Sequence, residues 1–216
     1  MFTKEDNQVL DRILQARWTC RSFGDQIPEK EEVEAVIEAG RIAPFASISS
    51  KDVTPFRLFF VLFKGDPRLP VIDRLIKEQS AINLEIVKAE AEVDSFLLEH
   101  LAGLEGRLSN VAQNGVPVFP DPPCMIVAAE WRGALRAERQ SLAHMMENMW
   151  LKATALNLDF GLLSIIESMV DNQEFCDLFG LPVERYGFLA CILGHHKGEI
   201  RTAHRASTET HWTEDC

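Results

Sequence analysis

A chain of 216 residues, 46% apolar and 25% charged with a formal net charge of −11, is long enough to bury a sizeable core. That excess of acid excludes a general nucleic-acid binder, which needs a basic stripe, yet leaves room for a small anion held by a few arginines. No run approaches the roughly 18 apolar residues of a membrane span, and Met1 to Asp6 lacks the basic and apolar parts of a signal peptide.

Val9, Leu10, Ile13 and Leu14 share one face at helical spacing, which predicts a first helix. Arg17-Trp18-Thr19-Cys20-Arg21-Ser22-Phe23 follows it. Two guanidiniums and two hydroxyls there form a positive island suited to a phosphate, because arginine offers a fixed fork of donors to its oxygens. Basic residues at a helix C-terminus also complement its dipole while staying solvated, so the cluster by itself leaves both readings open. Pro28 and the acids at 29, 31 and 32 open a second helix, with Val33, Val36, Ile37 and Gly40 on its buried face and Pro44 helping to stop it. A loop of small and hydroxyl residues leads to Leu58–Phe63, read as a strand buried on both faces.

From Asp66 to Asn114 apolar residues return at three- and four-residue steps (Ile72, Leu75, Ile76, and later Leu101, Leu104, Leu108, Val111), predicting two or three helices that serve as core or subunit contact. Asn114-Gly115-Val116-Pro117 ends them. Cys124–Ala129 reads as a second buried strand and Glu138–Leu156 as a helix. Gly161–Ile166 reads as a short strand, Asp171–Phe179 as a helix closed by Gly180, and Phe188–Gly194 as the last strand. Residues 201–216 form a polar tail. Strands among helices with a helical insertion at about 66–115 predict one α+β layered domain spanning 1–216, a central mixed sheet flanked by helices.

Five scattered cysteines without a CxxC spacing indicate a reducing compartment, hence a cytoplasmic protein with free thiols; Cys124 and Cys191, inside apolar runs, read as core residues. No GxGxxG follows a strand, and neither a P-loop nor a GxSxG elbow is present. His195-His196 is the main histidine concentration. Adjacent residues on a strand point to opposite faces, so no metal site is expected and a loop or ligand-edge role is favoured.

The order of these features resembles the nitroreductase family of FMN-dependent NAD(P)H oxidoreductases. Residues 17–23 are similar to its R-R-S-x-R-x-F signature. The helix ending in Ala43-Pro44, with Pro55-Phe56 further on, is similar to its A-P-S-x-x-N-x-Q-P-W loop. Asn148 matches its Q-N-x-x-L-x-A helix, Ile165-Ile166-Glu167-Ser168 its P-I-E-G turn, and Leu193-Gly194-His195-His196 its L-G-Y-P. Arg205 stands where the family has a late basic residue. The chain departs from that pattern at Trp18 (for a polar or basic residue), Phe45 (for Ser) and Ser168 (for Gly). Ser47, Ser49, Ser50, Lys51 and Thr54 occupy the loop that elsewhere holds Asn and Gln.

The resemblance implies FMN bound between two subunits of a homodimer. Arg17, Trp18, Thr19, Arg21 and Arg205 would lie at the phosphate and ribityl chain, with Pro44, Phe45, Ala46 and Ser47 along the ring or ribityl side. Asn148 would come from the central helix, and Ile166, Glu167 and Ser168 would border the redox-active edge. The implied reaction is hydride transfer from NAD(P)H through the flavin to an electron-poor aromatic or quinone-like substrate, with no dedicated catalytic side chain. Two other readings stand beside it. One is a flavin-binding or flavin-free sensor or interaction protein on the same fold. The other is an all-helical interaction protein, in which residues 58–63, 124–129 and 188–193 would be helical.

Overall fold

The computed structural model describes residues 1–45, 56–133, 136–200 and 206–211. In chain order the elements are α1 (Lys4–Ala16), α2 (Lys30–Arg41), β1 (Arg57–Phe63), α3 (Leu69–Ala91), α4 (Ser95–Asn114), β2 (Cys124–Trp131), α5 (Glu138–Ala155), β3 (Asp159–Leu163), α6 (Gln173–Asp177) and β4 (Tyr186–Gly194). A short 3-10 helix, Ser164–Met169, links β3 to α6. The three runs that an all-helical protein would need as helix are strands, which removes that reading.

Local chemistry explains most boundaries. Thr3 and Asp6 form a capping box at the start of α1, and Glu29 with Glu32 does the same for α2. Asp94 caps α4 by accepting from the amides of Phe96 and Leu97, and α4 stops at Gly115, whose φ of 74° suits a residue without a Cβ. Asn172 caps α6 through the amide of Phe175 at 2.9 Å, and Gly180 follows it at φ 65°. The stretch beyond Gly161 differs from the expected strand. Pairing ends at Leu163, and Ile166 and Met169, three apart, then face the core from the 3-10 helix, whose repeat is three residues.

The sheet has the order β1-β2-β4-β3. Every pairing among the described strands is antiparallel, so the expected mixed sheet is corrected to an antiparallel one. In β2 the side chains alternate with period two. Cys124, Ile126 and Ala128 join one core with Val36 and Ile37 of α2 and Met145 and Met149 of α5. Met125, Val127 and Ala129 join a second core with Leu69, Ile72 and Ile76 of α3, Ile166, and Phe175 of α6. Central β4 is buried throughout, whereas β1, expected to be buried on both faces, is only half-buried apart from Leu62. Its position at the sheet edge is the reason: both faces meet a core, but one flank has no neighbouring strand among the described residues. The 66–114 stretch resolves into α3 and α4, and α3 carries all of that pair's fully buried residues.

Candidate functional site

Residues 17–24 leave α1 in an extended path stitched to the end of the sheet. The Cys20 amide donates to the Phe160 carbonyl at 3.0 Å, the Gly24 amide to the His195 carbonyl at 2.8 Å, and the Lys197 amide to the Ser22 carbonyl at 2.9 Å. The approach is close enough to dictate a glycine: a Cβ on Gly161 would stand 2.7 Å from the Cys20 carbonyl oxygen. Asp159, the first residue of β3 and only 9% exposed, clamps the stretch from the side. It accepts from Trp18 Nε1 at 2.8 Å and from the His196 amide at 2.7 Å, and His196 Nδ1 lies 2.8 Å from the same carboxylate. Trp150 of α5 donates its Nε1 to the Trp18 carbonyl at 3.1 Å. Trp18, which departs from the family pattern, is therefore the indole donor that Asp159 holds. His196 sits just past the end of β4, as a loop-edge histidine.

This stitching leaves Thr19 and Arg21 on the wall between two cavities. The larger, about 600 Å³, has a mixed polar and apolar lining that includes Trp18, Ser22, Lys197 and Glu199. The other, about 340 Å³, is mostly apolar, with Gly161 to Ile165 on one side and Leu104, Leu108 and Val111 of α4 on the other. Its charged lining residues are Arg21 and Arg107. Ser80 of α3 also borders it, fully buried, its hydroxyl without a partner among the described residues.

The predicted site residues fall into separate groups. Trp18, Thr19 and Arg21 meet at the two cavities. Arg17 does not join them: its Nε lies 3.2 Å from Glu147 Oε1 and its guanidinium sits 4.7 Å above the Trp150 ring, so the expected positive island is divided. Pro44 and Phe45 line a different cavity, with Ala137, Gln140 and His144. Asn148 donates to the Ala39 carbonyl at 3.3 Å and ties α5 to α2. Ile166 was expected to border the ligand, but its side chain is wholly buried in the second core. Glu167 pairs with Arg139 at 2.9 Å beside a further cavity, of about 240 Å³, and Ser168 is half-buried in the 3-10 helix. Ala46, Ser47 and Arg205 lie outside the described residues.

Asp159 and Arg107 escaped notice in the sequence. A charge inside an apolar helical stripe was the available signal for Arg107, three residues after Leu104 and four before Val111. Asp159 carried no local signal, because its partners are 141 and 37 residues away in the chain. A buried ion pair was also unforeseen. Arg57 Nη2 lies 2.7 Å from Glu130 Oε2, both side chains almost fully buried, and Arg57 also donates to the carbonyls of Gly40, Ala43 and Pro44. Burial pushes the Glu130 carboxyl up from its ordinary range, and the Arg57 charge opposes that.

The described cysteines are buried and inert by placement. Burial raises the Cys20 thiol to about 11 and Cys124 to about 12, and Cys191 also lies well above its usual value. Among the described residues no three His, Cys, Asp or Glu side chains are gathered for a metal ion.

A family model described as the nitroreductase family matches residues 14–195. The chain belongs to the nitroreductase family. No curated protein matches its sequence. Among solved structures it is similar to a nitroreductase with bound FMN from Bacteroides fragilis NCTC 9343, at 17% identity and a TM-score of 0.69, covering 95% of this chain and 98% of that one. A nitroreductase with bound FMN from Desulfitobacterium hafniense DCB-2 matches at 19% identity and a TM-score of 0.64, covering 99% and 100%. A putative nitroreductase in complex with FMN from Desulfovibrio desulfuricans matches at 17% identity and a TM-score of 0.61, covering 93% and 91%. At such identities the likeness is one of fold, and it spans this nitroreductase nearly end to end.

Proposed function

We propose that this nitroreductase is an FMN-dependent oxidoreductase that passes a hydride from NAD(P)H to an electron-poor aromatic or quinone-like acceptor in two half-reactions. The observation that carries this reading is that Thr19 and Arg21 belong to two cavities, one mostly apolar and one of mixed polar and apolar lining. The donor chemistry fits the cofactor. Arg21, Lys197 and the Thr19 and Ser22 hydroxyls supply what a phosphate and a ribityl chain need, and Phe23, Leu108, Val116 and Ile165 supply an apolar wall for a flat ring. Bound there, FMN would supply the hydride chemistry. The chain's part is to grip the phosphate, orient the ring and keep water from it.

Arg17, Arg205, Ala46, Ser47 and Asn148 remain assigned to the cofactor site by family resemblance. Asp159 holds Trp18, and with it the path of residues 17–21. Ile166, Glu167 and Ser168 would contribute at the flavin edge through their backbone. Pro44 and Phe45 line a cavity of their own, which supports a homodimer whose partner loop completes each site. The apolar face of α1 also supports it: Val9, Leu10 and Leu14 are about half exposed. We further infer a single domain in which α3 and α4 are the insertion, working in the cytoplasm; no described helix is long and apolar enough to cross a membrane.

A visible spectrum of the purified protein with added FMN tests the core of this reading. Bound-flavin bands that are lost in Arg21→Ala and bleach with NADH or NADPH are expected. A protein that takes up no FMN overturns it. A second reading, a flavin-binding or flavin-free sensor or interaction protein, draws on the pairing of Arg17 with Glu147, which occupies one expected phosphate ligand. Bound flavin inert to both nucleotides would favour that alternative.

A further inference from the structure

In a chain of net charge −11, several of the described arginines have acidic partners: Arg57 has Glu130, Arg68 has Asp66, Arg132 has Glu138 and Arg139 has Glu167. Arg21 and Arg107 are different. Like Arg12, Arg136 and Arg185 they have no ion-pair partner among the described residues, but these two line the same 340 Å³ cavity, which has no carboxylate among its described lining residues. They come from distant parts of the chain, one from the stretch stitched to β3 and the other from α4, so the tertiary fold alone brings them there. Arg107 stands in the helix stripe with Leu104, Leu108 and Val111, facing the cavity where an apolar residue would ordinarily sit. Both arginines are exposed, so each charge is solvated in the free protein and stays available to a ligand of opposite charge in the cavity.

From this we propose that Arg107 is a specificity-determining residue that selects acceptors with an anionic group, such as a carboxylate, on a flat apolar body. The inference rests on the oxidoreductase reading for the word acceptor, although the binding preference stands without it. Arg21 is the residue already proposed for the cofactor, so the second cation is left for the substrate. The apolar walls take the ring. Arg107 offers its planar fork to the carboxylate, and the unpartnered Ser80 hydroxyl borders the same space.

The test is calorimetric titration of the FMN-loaded protein with para-nitrobenzoate and with its methyl ester, in wild type, Arg107→Gln and Arg107→Lys. The acid is expected to bind more tightly than the ester. Arg107→Gln should weaken the acid about tenfold and leave the ester within about twofold, as expected for loss of one charge-assisted hydrogen bond. Arg107→Lys should recover part of that loss. Equal binding of acid and ester by wild type, or an unchanged ratio in Arg107→Gln, overturns the inference while the flavin reading stands. If the protein takes up no FMN but still prefers the acid through Arg107, the flavin reading falls and this one stands. Titrations with FMN and riboflavin separate the other source of anion. If Arg107→Gln weakens FMN but not riboflavin, Arg107 serves the cofactor phosphate and the inference is overturned.

Discussion

The two sides of the apolar cavity are built differently. On one side, residues 17–24 and β3 are held by backbone hydrogen bonds, the Asp159 clamp and a glycine that permits close approach. On the other side α4 has no fully buried residue and is attached mainly by packing against α3, which carries the buried contacts to the sheet. The first side is over-determined, as a cofactor-positioning surface needs to be. The second has few buried contacts, the property of elements that open locally at low free energy. The proposed cofactor grip thus falls on the rigid wall and the proposed substrate choice on the more loosely held one.

The largest effect is expected away from both walls, at the β1 edge of the sheet opposite β3. Glu130→Ala leaves Arg57 buried without its counter-charge and should cost about 3–5 kcal/mol in urea unfolding. An unchanged midpoint would mean that the sheet edge does not need the pair. Asp159→Ala removes the acceptor of Trp18 and His196 and should cost about 1–3 kcal/mol. It should also weaken FMN binding measured by flavin fluorescence, whereas Asp159→Asn should retain part of both. If Asp159→Ala lost stability but bound FMN normally, the clamp would be structural only. On the α4 side, Leu108→Ala should cost less than about 1 kcal/mol, since the side chain is only half-buried. It should nevertheless alter binding of para-nitrobenzoate, and a stability loss as large as that of Asp159→Ala would erase the contrast between the walls. The smallest effect is chemical. Because burial holds the Cys20 thiol near 11, it stays protonated at pH 9 and should be alkylated far more slowly in the folded protein than in urea, the rate rising as pH approaches that value. Mass spectrometry of the peptide reads this directly.

Much of this was legible in the sequence because it depends on short-range periodicity. The buried face of α2, Val33, Val36, Ile37 and Gly40, follows from helical spacing, and the stop of α4 follows from Asn114-Gly115. The β2 and β4 runs were readable because central strands bury both faces. The β1 run looked the same, yet it lies at the edge, and edge or centre is a property of neighbours that no local pattern carries. The site divides in the same way. Residues 17–23 could be singled out from composition and order, and Thr19 and Arg21 do meet at the cavities. That Arg17 turns to Glu147, that Ile166 turns into the core, and that Arg107 lines the same cavity as Arg21 were decided by packing. The sequence alone determined most of the helices and strands and the family, because these depend largely on residues near one another in the chain. The charge environment of the site needed the tertiary structure, because an arginine's partner is whatever the fold places within reach of it.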